Sequence, residues 1–125
     1  LILDAAHNPH GARALAEHLR RWFTPRPVLI FAAMADKDIR GILTALLPVV
    51  GPVVLPTMAS PRAASPALVR DVAAAIDPGR DMLIAPDASG ALALAWQRSR
   101  TVVAAGSIVL VGEVRDALTP RAILR

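Results

Sequence analysis

Five short runs of consecutive apolar residues recur along the chain, and they constrain the fold more than any other feature of the sequence. The runs are three to six residues long, and they do not alternate between apolar and polar positions. Continuous apolar strands are typical of a parallel sheet that is covered on both faces. We therefore predict strands over residues 1–4, 28–33, 53–55, 82–85 and 102–105.

Helical patterns fill the segments between these runs. The first helix should begin after Asn8, a favourable N-cap, with Pro9 in its first position, and Pro48 should end the second helix. The last segment, residues 108–118, is rich in β-branched residues and is ambiguous between strand and helix. Alternating strands and helices predict an α/β fold with an open sheet, as one domain over residues 1–125.

Composition excludes several classes of site. The chain has no cysteine, which rules out disulfides, a thiol nucleophile and a cysteine-ligated zinc site. Its apolar runs fall far short of the roughly 20 residues that a membrane span needs. The net charge of +4 comes from scattered arginines without interleaved aromatics, so we expect no nucleic-acid partner. No set of carboxylates and histidines has metal-ligand spacing. We expect a cytoplasmic protein without a membrane partner and without a metal site in this chain.

The start of the sequence suggests a piece of a longer protein. The sequence begins directly with the apolar residues of a predicted buried strand, Leu1, Ile2 and Leu3. It does not start with the basic segment that is typical of a signal peptide.

Ligands of open α/β sheets bind beyond the carboxyl ends of the strands. This rule selects the loops 4–9, 35–38, 57–62 and 106–107. The polar residues of greatest chemical interest fall in these loops, so we expect them along one edge of the sheet.

The first loop contains Asp4, His7 and Asn8. A carboxylate can accept hydrogen bonds from a ribose, and an imidazole can stack on a nucleotide or donate to it. The N-terminus of the following helix adds partial positive charge. The alternative is that Asp4 and Asn8 only cap the helix, and we favour this for Asn8.

Lys37 is the only lysine among 14 cationic side chains, and it lies between Asp36 and Asp38. An ammonium at the carboxyl end of a strand is suited to hold a substrate carboxylate, although an ordinary surface lysine fits the pattern equally well. Asp38 is interpreted as a helix cap, and Arg62 as a surface cation in preference to a ligand residue. Asn8, Asp36 and Arg62 are secondary candidates for the site.

Ser107 follows Gly106 at the end of the last predicted strand. If a helix follows, its first N–H groups and the Ser107 hydroxyl can bind an anion. The alternatives are that Ser107 is a plain N-cap, or that a strand follows and the geometry is lost.

Four segments carry a combination of motifs in order along the chain. They are LDAAHNPHGARALAEHL, FAAMADKDI, SPRAASPALV and AAGSIVLVGEVR. They resemble the Asp-x-Ala-His-Asn-Pro, Asp-Lys-Asp, Pro-Arg-Ala and Gly-Ser segments of folylpolyglutamate and dihydrofolate synthases, which belong to the Mur ligase superfamily. Ala5 stands where the family commonly has glycine, and Ala105 where it has cysteine or threonine.

The resemblance implies a Rossmann-like C-terminal domain with a six-stranded, mostly parallel sheet. The N-terminal part and a central P-loop ATPase domain would lie outside this chain, and the full-length enzyme would be a monomer. The enzyme would use ATP and Mg²⁺ to phosphorylate a carboxylate of folate or dihydropteroate, and the amine of L-glutamate would then attack. Magnesium and ATP would be bound mainly by the central domain.

The resemblance also implies roles for residues of this chain. Asp4 and His7 would contact the nucleotide, and Lys37 and Ser107 would bind glutamate. No phosphate-binding loop of the form G-x-x-x-x-G-K-[ST] occurs in the sequence, so no catalytic residue is assigned here and the isolated chain should be inactive. Two alternatives remain: another Mur-type amino-acid ligase, or a non-catalytic nucleotide-binding interaction module.

Overall fold

The computed structural model describes residues 1–118, and strands and helices alternate throughout this part of the chain. The strands are β1 (Ile2–Asp4), β2 (Val28–Phe31), β3 (Val53–Pro56), β4 (Met82–Ala85) and β5 (Val102–Ala105). The helices are α1 (Pro9–Trp22), α2 (Ile39–Leu46), α3 (Pro66–Ile76), α4 (Ala88–Arg98) and α5 (Ile108–Leu118). Each predicted strand is confirmed to within two residues at either end.

The strands form one parallel sheet in the order β1-β5-β2-β3-β4. An open parallel sheet with helices on both faces is a Rossmann-like arrangement. The prediction of six strands was wrong, because the described residues form a sheet of five. The sixth strand was implied by resemblance alone. Each of the five predicted strands is present, and the remaining candidate segment, Ile108–Leu118, is a helix.

Both faces of the sheet are covered. Helices α1, α2 and α3 pack on one face, and α4 and α5 pack on the other. Alternate strand residues point to opposite sides. In β2, Leu29 and Phe31 join the first core, while Val28 and Ile30 join the second. Burial on both sides explains why the strands are continuously apolar.

Side chains at the helix starts satisfy backbone N–H groups that have no partner within the helix. Asn8 and Asp38 accept hydrogen bonds from the N–H groups of Gly11 and Gly41, at 2.7 and 2.9 Å. Both are therefore confirmed as caps. Helix α2 ends at Leu46, two residues before Pro48, and continues into a 3-10 turn.

Helix α5 resolves the ambiguity of the last segment. Its β-branched residues have only slightly poor helix propensity, a few tenths of a kcal/mol each. Leu110 and Val114, one turn apart, are fully buried against the sheet. Burial of this face outweighs the propensity term, since each large apolar side chain contributes roughly 1.5–3 kcal/mol. Among residues 1–118, no helix combines the length and apolar character needed to cross a membrane.

Arg80 joins three segments at the amino edge of the sheet. Its Nη1 donates to the carbonyl oxygens of Val50 and Gly51, at 2.6 and 2.9 Å, and its Nη2 donates to that of Leu47, at 2.6 Å. Its Nε donates to Asp77 at 3.0 Å, and only 13% of the Arg80 side chain is exposed. The planar guanidinium therefore donates to carbonyls of the 3-10 turn that follows α2 and of the two residues after that turn.

Replacing Arg80 with methionine should lower the free energy of unfolding by about 2–4 kcal/mol, because the apolar stem is kept while three carbonyls lose the guanidinium as a donor in a largely buried place. The measurement is urea unfolding of the 125-residue chain. Arg20→Met is the matched control, since Arg20 pairs with Glu17 at the surface, where the two side chains are 61% and 69% exposed. The control should change the stability by less than about 0.5 kcal/mol. Equal shifts in both variants would contradict the role of Arg80.

Candidate functional site

A cleft of about 250 Å³ opens at the carboxyl edge of the sheet. It is bordered by the turn after β1, the loops after β2 and β3, and the start of α5. The residues that line it are His7, Met34, Lys37, Arg62, Gly106, Ser107, Ile108 and Val109. The carboxyl ends of parallel strands meet at one edge, so loops far apart in sequence come together here.

Four of the candidate residues line this cleft, and three do not. His7, Lys37, Arg62 and Ser107 are brought together, as the strand-end rule predicted. Asp36 instead lies in an adjoining depression, which it shares with Ala35 and Arg62. Asp4 closes a local turn, and Asn8 caps α1.

Asp4 shapes the turn after β1. Its Oδ1 accepts a hydrogen bond from the N–H of Ala6 at 3.0 Å, and Asn8, not Asp4, caps α1. Ala6 is buried and has a φ of 34°, a left-handed conformation that is uncommon for a residue with a Cβ. The Asp4 carboxylate thus stabilises a strained turn that leads directly to His7.

Gly106 ends β5 in a conformation that other residues rarely adopt. Its φ is +115°, and a Cβ on it would collide with the carbonyl oxygen of Ala32 and lie 2.8 Å from Cε1 of Phe31. Its N–H donates to the carbonyl oxygen of Ala5 at 2.8 Å. The ends of β1, β2 and β5 are therefore in close backbone contact at this point.

Ser107 immediately precedes α5, so a helix and not a strand follows it, which is the condition that the anion-binding hypothesis requires. It is buried, with 4% of its surface exposed, and its Oγ accepts a hydrogen bond from the N–H of Val109 at 3.0 Å. A hydroxyl that accepts one hydrogen bond keeps its own O–H for donation. Ser107 can therefore donate into the cleft while it orders the first turn of the helix.

Lys37 and Arg62 supply positive charge from two exposed loops, and hydrogen bonds between the backbones of those loops keep them together. The N–H of Ala35 donates to the carbonyl oxygen of Arg62 at 2.8 Å, and that of Ala64 donates to the carbonyl oxygen of Ala33 at 2.9 Å. Two cations, a hydroxyl and the N-terminus of α5 border one cleft. Such a site can hold a small molecule with two carboxylates.

Sequence reasoning missed one contact at this edge. Glu113, in α5, accepts a hydrogen bond on Oε2 from the N–H of Ala59 at 2.9 Å. The two residues are 54 positions apart, and no motif links them. They also line a second cleft, of about 400 Å³, together with Asp87 and Asp116. Within the described range 1–118, no group of three or more carboxylates and histidines could hold a metal ion.

Comparison with known proteins gives a consistent set of matches. Residues 1–112 match the family described as Mur ligase, glutamate ligase domain. The dihydrofolate synthase/folylpolyglutamate synthase of Mycobacterium tuberculosis is 47% identical over 64 residues, which are 50% of this chain and 13% of that enzyme.

Solved structures extend the likeness over nearly the whole chain. Folylpolyglutamate synthase of M. tuberculosis, complexed with ADP and AMPPCP, superposes with a TM-score of 0.81 and 32% identity over 94% of this chain and 29% of its own. The bifunctional folylpolyglutamate synthase/dihydrofolate synthase of Yersinia pestis was solved with AMPPNP and a manganese ion. It superposes with a TM-score of 0.77 and 30% identity over 93% of this chain and 28% of its own. The chain thus spans less than a third of the length of these relatives.

Alanine at position 106 should destabilise the chain by about 3 kcal/mol, because the positive φ is strained for an L-residue and the backbone must move to admit a Cβ. Thermal unfolding of the chain measures the effect. Gly112→Ala is the matched control, because Gly112 lies within α5 and a Cβ there meets no atom within 4 Å. That change should stabilise by about 0.5–1 kcal/mol through helix propensity. A melting temperature that Gly106→Ala leaves unchanged would mean that the turn tolerates other conformations.

Proposed function

The chain belongs to the family of Mur ligase glutamate ligase domains, and we propose that it is the C-terminal domain of an ATP-dependent ligase that adds L-glutamate to folate or dihydropteroate. The names of its relatives support this substrate class. The P-loop domain that binds ATP would lie outside residues 1–125, as would the pterin-binding residues. The enzyme would act as a monomer in the cytoplasm.

The cleft of His7, Lys37, Arg62 and Ser107 is the observation that carries the proposal. Glutamate has two carboxylates, and the cleft offers two kinds of anion-binding group. Lys37 binds one carboxylate as a flexible point charge. Ser107 and the first N–H groups of α5 bind the α-carboxylate. Two anchors fix the direction of the amine, and correct orientation of a nucleophile accounts for much of the rate of such a reaction.

Asp4 and His7 are assigned to the nucleotide. Oδ1 of Asp4 is occupied by the N–H of Ala6, so the second carboxylate oxygen would accept a hydrogen bond from the ribose. His7 borders the same cleft as Lys37, so the nucleotide and glutamate would approach each other there. The complexes of the relatives with ADP, AMPPCP and AMPPNP support ATP as a ligand of the whole enzyme.

The residues of this chain fit a binding and closing role better than a role in holding Mg²⁺. The described residues contain no carboxylate cluster for a metal ion, so Mg²⁺ would be bound with the ATP phosphates by the rest of the enzyme. The domain would close over the nucleotide and exclude water from the activated carboxylate.

In the full-length protein, Lys37→Met should raise the KM for glutamate by about ten- to a hundredfold, the scale of one lost charge-assisted hydrogen bond. The KM for ATP should change little. The assay follows ATP-dependent incorporation of labelled glutamate into folate or dihydropteroate.

Arg40→Met is the control for Lys37, since it removes another exposed cation close by that does not line the cleft. A wild-type protein that incorporates no glutamate into either acceptor would refute the proposed function. Equal rises in the two KM values for Lys37→Met would refute only the role of Lys37.

Asp4→Asn and His7→Ala should each raise the KM for ATP by about five- to a hundredfold, through loss of a polar contact to the nucleotide. Asparagine keeps an oxygen that can accept the Ala6 N–H, so the turn should survive and the melting temperature should stay near the wild-type value. Unchanged ATP kinetics in both variants would reject the assignment. A large loss of stability with normal kinetics would identify Asp4 as a purely structural residue.

A further inference from the structure

We propose that Glu113 is a positioning residue that holds the 57–64 loop against α5 and thereby fixes Arg62 at the border of the cleft proposed to bind glutamate. This cleft, lined by His7, Lys37, Arg62 and Ser107, is called the glutamate cleft below. The inference rests on the proposed function for the identity of the ligand. Glu113 does not line the cleft itself, so it acts through the loop.

The 57–64 loop starts with a hydrogen bond from the N–H of Thr57 to the carbonyl oxygen of Ala85, at 3.3 Å, and beyond this start it is anchored on two sides. On one side, backbone hydrogen bonds join Ala64 to Ala33 and Arg62 to Ala35, which fixes the loop to the segment that leads to Lys37. On the other side, the 2.9 Å hydrogen bond from the N–H of Ala59 to Oε2 of Glu113 joins the loop to α5. Loss of this hydrogen bond would release Ala59, in the middle of the loop, from α5.

The same two elements form opposite borders of the cleft. Arg62 comes from the 57–64 loop, whereas Ser107, Ile108 and Val109 come from the start of α5. The distance between loop and helix therefore contributes to the distance between Arg62 and the anion-binding end of α5. A ligand with two carboxylates at a fixed spacing is sensitive to that distance, because charge-assisted hydrogen bonds weaken as their geometry departs from optimum.

The two clefts at this edge of the sheet carry charges of opposite sign. The second cleft, lined by Glu113 together with Asp87 and Asp116, is acidic, whereas Lys37 and Arg62 make the glutamate cleft basic. Glu113 is half-buried and directs a carboxylate oxygen to a backbone N–H. An anionic substrate is thus attracted to one cleft and repelled from the other.

The test compares Glu113→Ala with Glu113→Gln in the full-length protein. Alanine removes the acceptor for the Ala59 N–H, so the KM for glutamate should rise about tenfold while the KM for ATP stays constant. Glutamine keeps an oxygen at the same place and should behave like the wild type. Asp116→Ala removes an exposed carboxylate from the same helix and serves as the control.

A double-mutant cycle with Arg62→Ala tests whether Glu113 acts through Arg62. In that background, Glu113→Ala should add less than about twofold to the KM for glutamate, since residues that act through one contact are not additive. Hydrogen exchange at Ala59 should accelerate in Glu113→Ala and return to the wild-type rate in Glu113→Gln.

The outcomes separate the two proposals. If the wild type ligates no glutamate, the proposed function fails, and the role of Glu113 in glutamate binding fails with it. If the wild type is active but Glu113→Ala leaves the KM for glutamate unchanged, or raises both KM values equally, only the positioning role is overturned. Loss of function in Glu113→Gln equal to that in Glu113→Ala also overturns it, because the carboxylate would then act through its charge.

Discussion

The turn after β5 brings three strands together at a point where only glycine fits. Strand β5 lies between β1 and β2. At its end, Gly106 donates to the backbone of Ala5 and lies against Ala32 and Phe31. Ser107 and α5 follow at once. The position of the anion-binding helix relative to the loops after β1 and β2 therefore depends on backbone packing, which is stiffer than a network of surface side chains. At the opposite edge, Arg80 donates to the carbonyl oxygens of Leu47, Val50 and Gly51.

Much of the fold could be predicted because local signals agreed with the global arrangement. Buried parallel strands must be continuously apolar, and the helix caps satisfy donors that every helix leaves open. The segment 108–118 could not be assigned by periodicity, since burial of Leu110 and Val114 against the sheet decides its structure. The predicted number of strands was wrong because it was implied by the family resemblance alone, whereas five segments of the sequence had been predicted as strands.

The candidate site was predictable where it depends on topology. The rule that ligands bind beyond the strand ends selected the loops of His7, Lys37 and Ser107, and these residues line one cleft. The rule could not tell which side chains in a loop face the cleft and which close a turn, as Asp4 does. The rule also could not predict the hydrogen bond between Ala59 and Glu113, because that bond depends on how α5 packs beside a loop 54 residues earlier in the sequence.

The single lysine has a consequence for experiments. Every other cationic side chain of the 125 residues is an arginine, so isotopic enrichment of lysine would place one amide and one ammonium signal in the magnetic resonance spectrum of this chain. Both signals would originate at the mouth of the cleft. Lys37 is therefore a natural spectroscopic reporter, which needs no engineered label and no assignment of the remaining residues. Its signals would report directly on an anion that enters the cleft.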